Sequence, residues 1–189
     1  NQAQLTGSSL AKADLQHIQL QNADLSQTDL SQANLSYADL SGAQLHKAQL
    51  HNAILTDVIL DRSILKECDL SHFDLSNASL QNSCLDGALL NHTVLTGIKA
   101  NESSFKNAQL QEAQLQNAQL AHADLQEIHA TSSLWENADL SHANLHTAQL
   151  QAAHFEKANL SHAHLTKCQL EGAFFEGANL SHARLQESK

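Results

Sequence analysis

An all-β, four-sided solenoid is the fold class this sequence predicts, and three observations predict it. Every fifth residue from Leu5 to Leu185 is Leu in 31 of 37 positions, with no insertion or deletion in the count. The residue two places earlier is Ala in 23 of 37 units, and most of the others are small or β-branched, such as Ser8, Thr28, Val58, Cys68 and Ile98. Whole segments then recur at intervals of 20 residues.

A period of five fits no regular element. In a helix each step of five advances about 140°, so the Leu stripe would wander around the cylinder. In a continuous strand an odd step flips Leu to the opposite face each time. Keeping every Leu inside therefore requires a corner in each unit. The Leu and the small residue two before it point inward, the residue between them points out, and the polar pair after Leu makes the turn.

The number of sides follows from the longer repeat. Ser141-His142-Ala143-Asn144-Leu145, Ser161-His162-Ala163-His164-Leu165 and Ser181-His182-Ala183-Arg184-Leu185 are 20 apart, and Ala121-His122-Ala123-Asp124-Leu125 extends the series backwards. Trp135, Phe155 and Phe175 keep the same spacing, as do Glu136, Glu156 and Glu176. At 15 residues the His series would meet Asn137, Lys157 and Gly177 instead. Four units per coil follow, in about nine coils, and a strand spacing of ~4.8 Å makes the rod roughly 45 Å long.

The interior is expected to be stacked Leu columns. Ala100 and Ala130 stand where Leu is the rule, but Ile98 and Ile128 stand where Ala is the rule. The large and small partners have changed places, which conserves volume. Trp135, Phe155 and Phe175 share one core column. The turns Asn101-Glu102 and Thr131-Ser132 are the expected places for backbone irregularity. A filled prism is expected to leave no sizeable internal pocket.

Composition narrows the function. The formal charge is −10, from 20 acidic and 10 basic residues. The basic residues are scattered, which argues against direct nucleic-acid binding. Cys68, Cys84 and Cys168 form neither a disulfide framework nor a zinc motif, and a reducing compartment is the simplest expectation. No stretch approaches the ~20 apolar residues of a membrane span, and none has the pattern of a signal peptide. There is no phosphate-binding glycine loop, nucleophile elbow or paired-Cys motif, so no catalytic residue, no cofactor and no enzymatic activity are expected.

Surface positions carry the candidate sites. Ile54, Val94, Leu134 and Phe174 are outward apolar residues on one face in alternate coils, and this face is the expected surface for a protein partner. Glu136, Glu156 and Glu176 form a ladder on one corner that would attract a basic partner, with Lys157 beside it. His122, His142, His162 and His182 form a turn column one coil apart. Imidazole suits zinc, copper and nickel, but no carboxylate or Cys completes a ligand set there. The column is therefore expected to be a solvated ladder without metal, and one that charges and repels itself near pH ~6.

The Ala-Xaa-Leu pattern with Asp or Asn often at Xaa, as in Ala13-Asp14-Leu15 and Ala33-Asn34-Leu35, resembles the pentapeptide-repeat family, and the resemblance covers essentially the whole chain. It implies a right-handed quadrilateral β-helix. It also implies a non-enzymatic, rigid protein-binding scaffold, as in cyanobacterial regulators of cell differentiation or modules of secreted bacterial effectors. The expected location is then the bacterial cytoplasm, or a host cell for an effector. Two alternatives stand beside this: a DNA mimic that binds DNA gyrase, of the fluoroquinolone-resistance type, and a spacer rod between flanking domains. The projecting loops and C-terminal dimerisation helix usual in the gyrase binders are not seen in this sequence. Residues 1–189 are expected to be a single repeat domain within a longer chain, because Asn1 already lies inside the repeat. Uncapped coil ends would otherwise invite end-to-end self-association.

Overall fold

The computed structural model describes residues 3–189. The outward residue of each unit forms a parallel bridge with the residue 20 places on, as in Gln4 with Asp24, Asp24 with Gln44 and His164 with Arg184. Each side of a coil therefore stacks on the same side of the next, and the chain is a quadrilateral β-helix. Four faces can be followed through their outward residues. The first runs from Gln4 and Asp24 to Arg184, and the second from Ser9 and Asp29 to Gln169. The third runs from Asp14 and Asn34 to Phe174, and the fourth from Gln19 and Asp39 to Asn179.

The hydrogen bonding explains the repeat almost residue by residue. Leu5 N donates to Asp24 O at 2.8 Å, and Asp24 N donates back to Ala3 O at 2.9 Å. Gly7 N, in the turn, donates to Ser26 O at 2.9 Å, and Ala13 N closes its turn on Leu10 O at 3.1 Å. One amide per unit is left over, that of the first turn residue, and buried or half-buried amides need partners. Asp or Asn at the outward position supplies one. Asp24 Oδ1 accepts from Ser26 N at 3.0 Å, Asp29 Oδ1 from Ser31 N at 2.9 Å, and Asn144 Oδ1 from His146 N at 3.2 Å. The Ser26 amide and hydroxyl hold the Asp24 carboxyl below its ordinary range. A longer Gln side chain places its oxygen differently, which is why Asp and Asn recur at this position.

Each turn has its second residue at positive φ, for example Lys12 at 62°, His122 at 59° and Gly42 at 69°. With the Leu carbonyl bonded three residues on, this is the pattern of a type II turn. Non-glycine residues adopt it at a cost of ~1–2 kcal/mol each, which the inter-coil ladder must offset.

Between Leu25 and Leu165 the Leu columns are buried almost throughout. Trp135 and Phe155 stack at 5.7 Å between centroids, and Phe155 and Phe175 at 5.1 Å. Trp135 Nε1 donates to Ser133 Oγ at 2.6 Å, so its one polar atom is satisfied inside the core. Ile98, Ala100, Ile128 and Ala130 are fully buried. Their turns are regular: Glu102 N reaches Ala121 O at 3.0 Å and Ser132 N reaches Gln151 O at 2.9 Å. The irregularity expected at Asn101-Glu102 and Thr131-Ser132 is thus absent, because the exchanged side chains fill the same volume.

The break in the ladder lies elsewhere. The bridges between Gln49 and Asp69 on the second face, and between Ile54 and Asp74 on the third, are missing. Among the described residues, no main-chain hydrogen bond joins 48–57 to 69–77. The ladder holds on both sides of the gap, though stretched, with Lys47 N to Lys66 O at 3.3 Å and Ser79 N to Val58 O at 3.4 Å. Phe73 is the cause. It occupies the inward position that is Ala13, Ala33 and Ala53 in the preceding coils. A ring in a methyl-sized site overfills the corner and separates the two coils.

Candidate functional site

Separating the coils opens a cleft of about 780 Å³. It corrects the expectation of a filled prism without a sizeable pocket: one oversized residue at an inward position suffices to part the stack. Leu50, Ile54, Leu55 and Phe73 give it apolar walls, and His51 and Asp69 give it polar ones. Phe73 is only partly buried against the core. The amides of Leu50, Asn52, Leu55, Asp69 and Asp74, whose equivalents are paired in the coils on either side, have no main-chain partner here. At the rim Lys47 Nζ meets Glu67 Oε2 at 3.0 Å, and Lys47 holds the Glu67 carboxyl below its ordinary range.

The coil below the cleft is the most apolar on the outside. Ile54, Ile59 and Ile64, on three successive faces, are 49%, 39% and 36% exposed. Ile54 belongs both to this belt and to the cleft wall. Of the face predicted from sequence, Phe174 is as exposed as Ile54, at 50%, whereas Val94 and Leu134 are half-buried. These four stay separated by polar coils, as their spacing requires, and His154 covers one flank of Phe174 with ring centroids 4.5 Å apart. The structure thus concentrates exposed apolar surface around Ile54 rather than along the column. Phe73 is the residue that sequence reasoning missed. The signal was available, since it is the one aromatic among the 37 small-residue positions.

Glu136, Glu156 and Glu176 occupy the first turn position in three consecutive coils. Glu136 and Glu156 are half-buried and Glu176 is exposed. His154 Nδ1 lies 3.0 Å from Glu156 Oε1. Burial acts to raise the Glu156 pKa, but the hydrogen bond and charge of His154 outweigh it and leave the carboxyl below its ordinary range. Oε2 of Glu136 and Oε2 of Glu156 are both shut off from solvent without a hydrogen-bond partner. Among the described residues, Glu136, His154 and Glu156 form the one group of three whose ligand atoms lie close enough to share a metal ion.

The His column is a stack of parallel rings. Centroids are 4.7 Å apart for His122–His142 and His142–His162, and 4.8 Å for His162–His182. Desolvation, with the charges of His142 and His182, pushes the His162 pKa below its ordinary 6.5. A depressed imidazole binds its proton more readily in the unfolded chain, so stability falls as pH drops through the unfolded value. The melting temperature is therefore expected to be flat above pH ~7.5 and to decline between ~6.5 and ~5.5. The double variant His142→Gln/His162→Gln should flatten that decline, and a wild-type curve with no decline would refute the effect.

Cys68 and Cys168 are buried, with Sγ atoms donating to Leu45 O and Leu145 O at 2.8 and 2.9 Å. Burial pushes both thiols up to about 11, so they act as core residues rather than nucleophiles.

Comparison with known sequences returns repeats over most of the chain. The profile described as "Pentapeptide repeats" matches residues 1–27, 23–62 and 158–189, in eight copies. A second, "Pentapeptide repeat region", matches 68–145. No curated protein sequence matches. Among solved structures, the chain is 30% identical to HetL, a pentapeptide repeat protein involved in heterocyst differentiation regulation in the cyanobacterium Nostoc sp. strain PCC 7120. That match covers 98% of this chain and 86% of HetL, with a TM-score of 0.44. A trypsin-treated form of QnrB1, a plasmid-mediated fluoroquinolone resistance protein, is 19% identical over 100% of this chain and 91% of its own, with a TM-score of 0.41.

Proposed function

We propose, from the premise that this chain belongs to the pentapeptide-repeat family, that it is a non-enzymatic scaffold of about nine coils that binds a protein partner at the cleft between residues 48–57 and 69–77. The observation that carries this reading is the interrupted ladder. Main-chain donors and acceptors that stack elsewhere stand open beside Ile54 and Phe73. An extended segment of another protein suits such a place, because a strand can be added through main-chain hydrogen bonds while apolar side chains seat against the walls. The Ile59 and Ile64 belt extends the apolar contact. The column of Val94, Leu134 and Phe174 and the ladder of Glu136, Glu156 and Glu176 lie farther along the rod as secondary contacts, the glutamates for a basic segment. With this role goes the proposal that the protein works in the bacterial cytoplasm, or in a host cell if the rod is part of an effector.

The test is retention of proteins on immobilised wild type and on Ile54→Asp, compared by quantitative mass spectrometry, with circular dichroism confirming that both are folded. At least one protein should be retained by wild type and fall about tenfold on the variant, the loss expected for a charge placed in an apolar contact. A spacer rod would be indifferent to the substitution. A gyrase-binding DNA mimic would depend on its carboxylates rather than on Ile54. Identical retention on both proteins removes the cleft as the binding site.

A further inference from the structure

We infer that Glu136, His154 and Glu156 form a binding site for a divalent d-block cation, for which zinc is the natural probe. The site is independent of the cleft and lies nearer the other end of the rod. The 20-residue register builds it. Glu136 and Glu156 leave the same corner in consecutive coils, and His154 is the outward residue two places before Glu156. One ligand atom from each lies within 4.8 Å of the others. Zinc–nitrogen and zinc–oxygen bonds of ~2.0–2.2 Å place tetrahedral ligands roughly 3.5 Å apart, so small side-chain rotations bring the three onto one ion.

Proximity alone would not carry the inference, because exposed glutamates often stand close together. The state of the oxygens does. A pair of like charges on a surface normally turns outward into water. Here Glu136 Oε2 and Glu156 Oε2 are instead shut off from solvent and accept no hydrogen bond. A cation seated between two carboxylate oxygens held in that way would satisfy both. No lysine or arginine forms an ion pair with either among the described residues. His154 Nδ1, 3.0 Å from Glu156 Oε1, adds a nitrogen donor of the type such cations select. That ring is held in place by stacking on Phe174, with planes 20° apart. Three protein ligands on the outside of the rod leave remaining coordination positions open to water or to a partner's side chain. The His122–His182 column offers only imidazoles and has no such orphaned oxygens.

Isothermal titration of zinc chloride into the metal-free protein tests the site, with melting temperature as a second readout. Wild type should take up one zinc saturably and melt at a higher temperature in its presence. Glu136→Gln and His154→Gln should each weaken binding at least tenfold while melting normally without zinc, since neither side chain is in the core. His142→Gln/His162→Gln should bind as wild type does. Loss of uptake in that ladder variant, or uptake indifferent to Glu136→Gln, would overturn the assignment. So would the absence of saturable uptake.

Discussion

Phe73→Ala is expected to close the cleft and to raise the stability of the rod. The inward positions one coil to either side are Ala53 and Thr93, so an alanine at 73 restores a regular corner. Relief of overpacking is worth ~1–3 kcal/mol, and each recovered ladder hydrogen bond adds ~0.5–1.5 kcal/mol net. Against this stands the lost burial of the ring, which is small because Phe73 is only partly buried. At ~2–4 °C per kcal/mol for a chain of this size, even a net gain of ~2 kcal/mol should raise the melting temperature by roughly 4–8 °C. Hydrogen exchange gives the local readout. The amides of Leu50, Leu55, Asp69 and Asp74, open in wild type, should become protected about tenfold or more. Unchanged exchange at those four amides would show that Phe73 is not what holds the coils apart. The same variant should lose any partner retained at the cleft, so a protein that gains stability and loses binding would tie the strain to the function.

Ile98→Ala should be among the most damaging single substitutions in the rod. Ile98 is fully buried and its inward partner is already Ala100, so removing the larger side chain leaves two alanines where each unit needs one large residue. Truncations of this kind cost ~2–5 kcal/mol through lost burial and the residual cavity, or roughly 5–15 °C in melting temperature. Ala100→Leu alone should also destabilise, by ~1–3 kcal/mol, because it adds volume beside an intact Ile98. The double variant Ile98→Ala/Ala100→Leu rebuilds an ordinary Ala-Lys-Leu unit and should melt within a few degrees of wild type. Losses that simply add in the double variant would mean the two residues do not share one volume.

Much of this architecture was legible because the repeat is so regular. Leu5 to Leu185 give the inward position, and the His and aromatic series give the 20-residue coil. The buried exchange at Ile98–Ala100 could be read from the letters, since volume is a local property of facing side chains. Phe73 shows where reading stopped. Its place in the register was as plain as that of Ile98, but Ile98 has a compensating alanine two residues on, whereas Leu75 follows Phe73 unchanged. Whether an oversized residue is absorbed or parts two coils depends on the coils above and below it. The positive φ of every turn was hidden for a related reason. Residues as different as Lys12, Glu102 and Ala152 adopt it, because the inter-coil ladder imposes the conformation on residue types that do not prefer it alone.

By itself the sequence determined the number of sides, the inward and outward alternation, and the stacking of like residues one coil apart. These follow from periodicity, and a period of five repeated without a slip admits few solutions. Only the tertiary structure decided where the ladder is broken and which polar atoms are left without partners. The cleft beside Ile54 exists because strain from one ring is spread across two faces. The Glu136–His154–Glu156 group exists because the orientation of three side chains leaves two oxygens turned away from water. Both are properties of coils in contact, and contact between residues 20 apart is settled in three dimensions rather than along the chain.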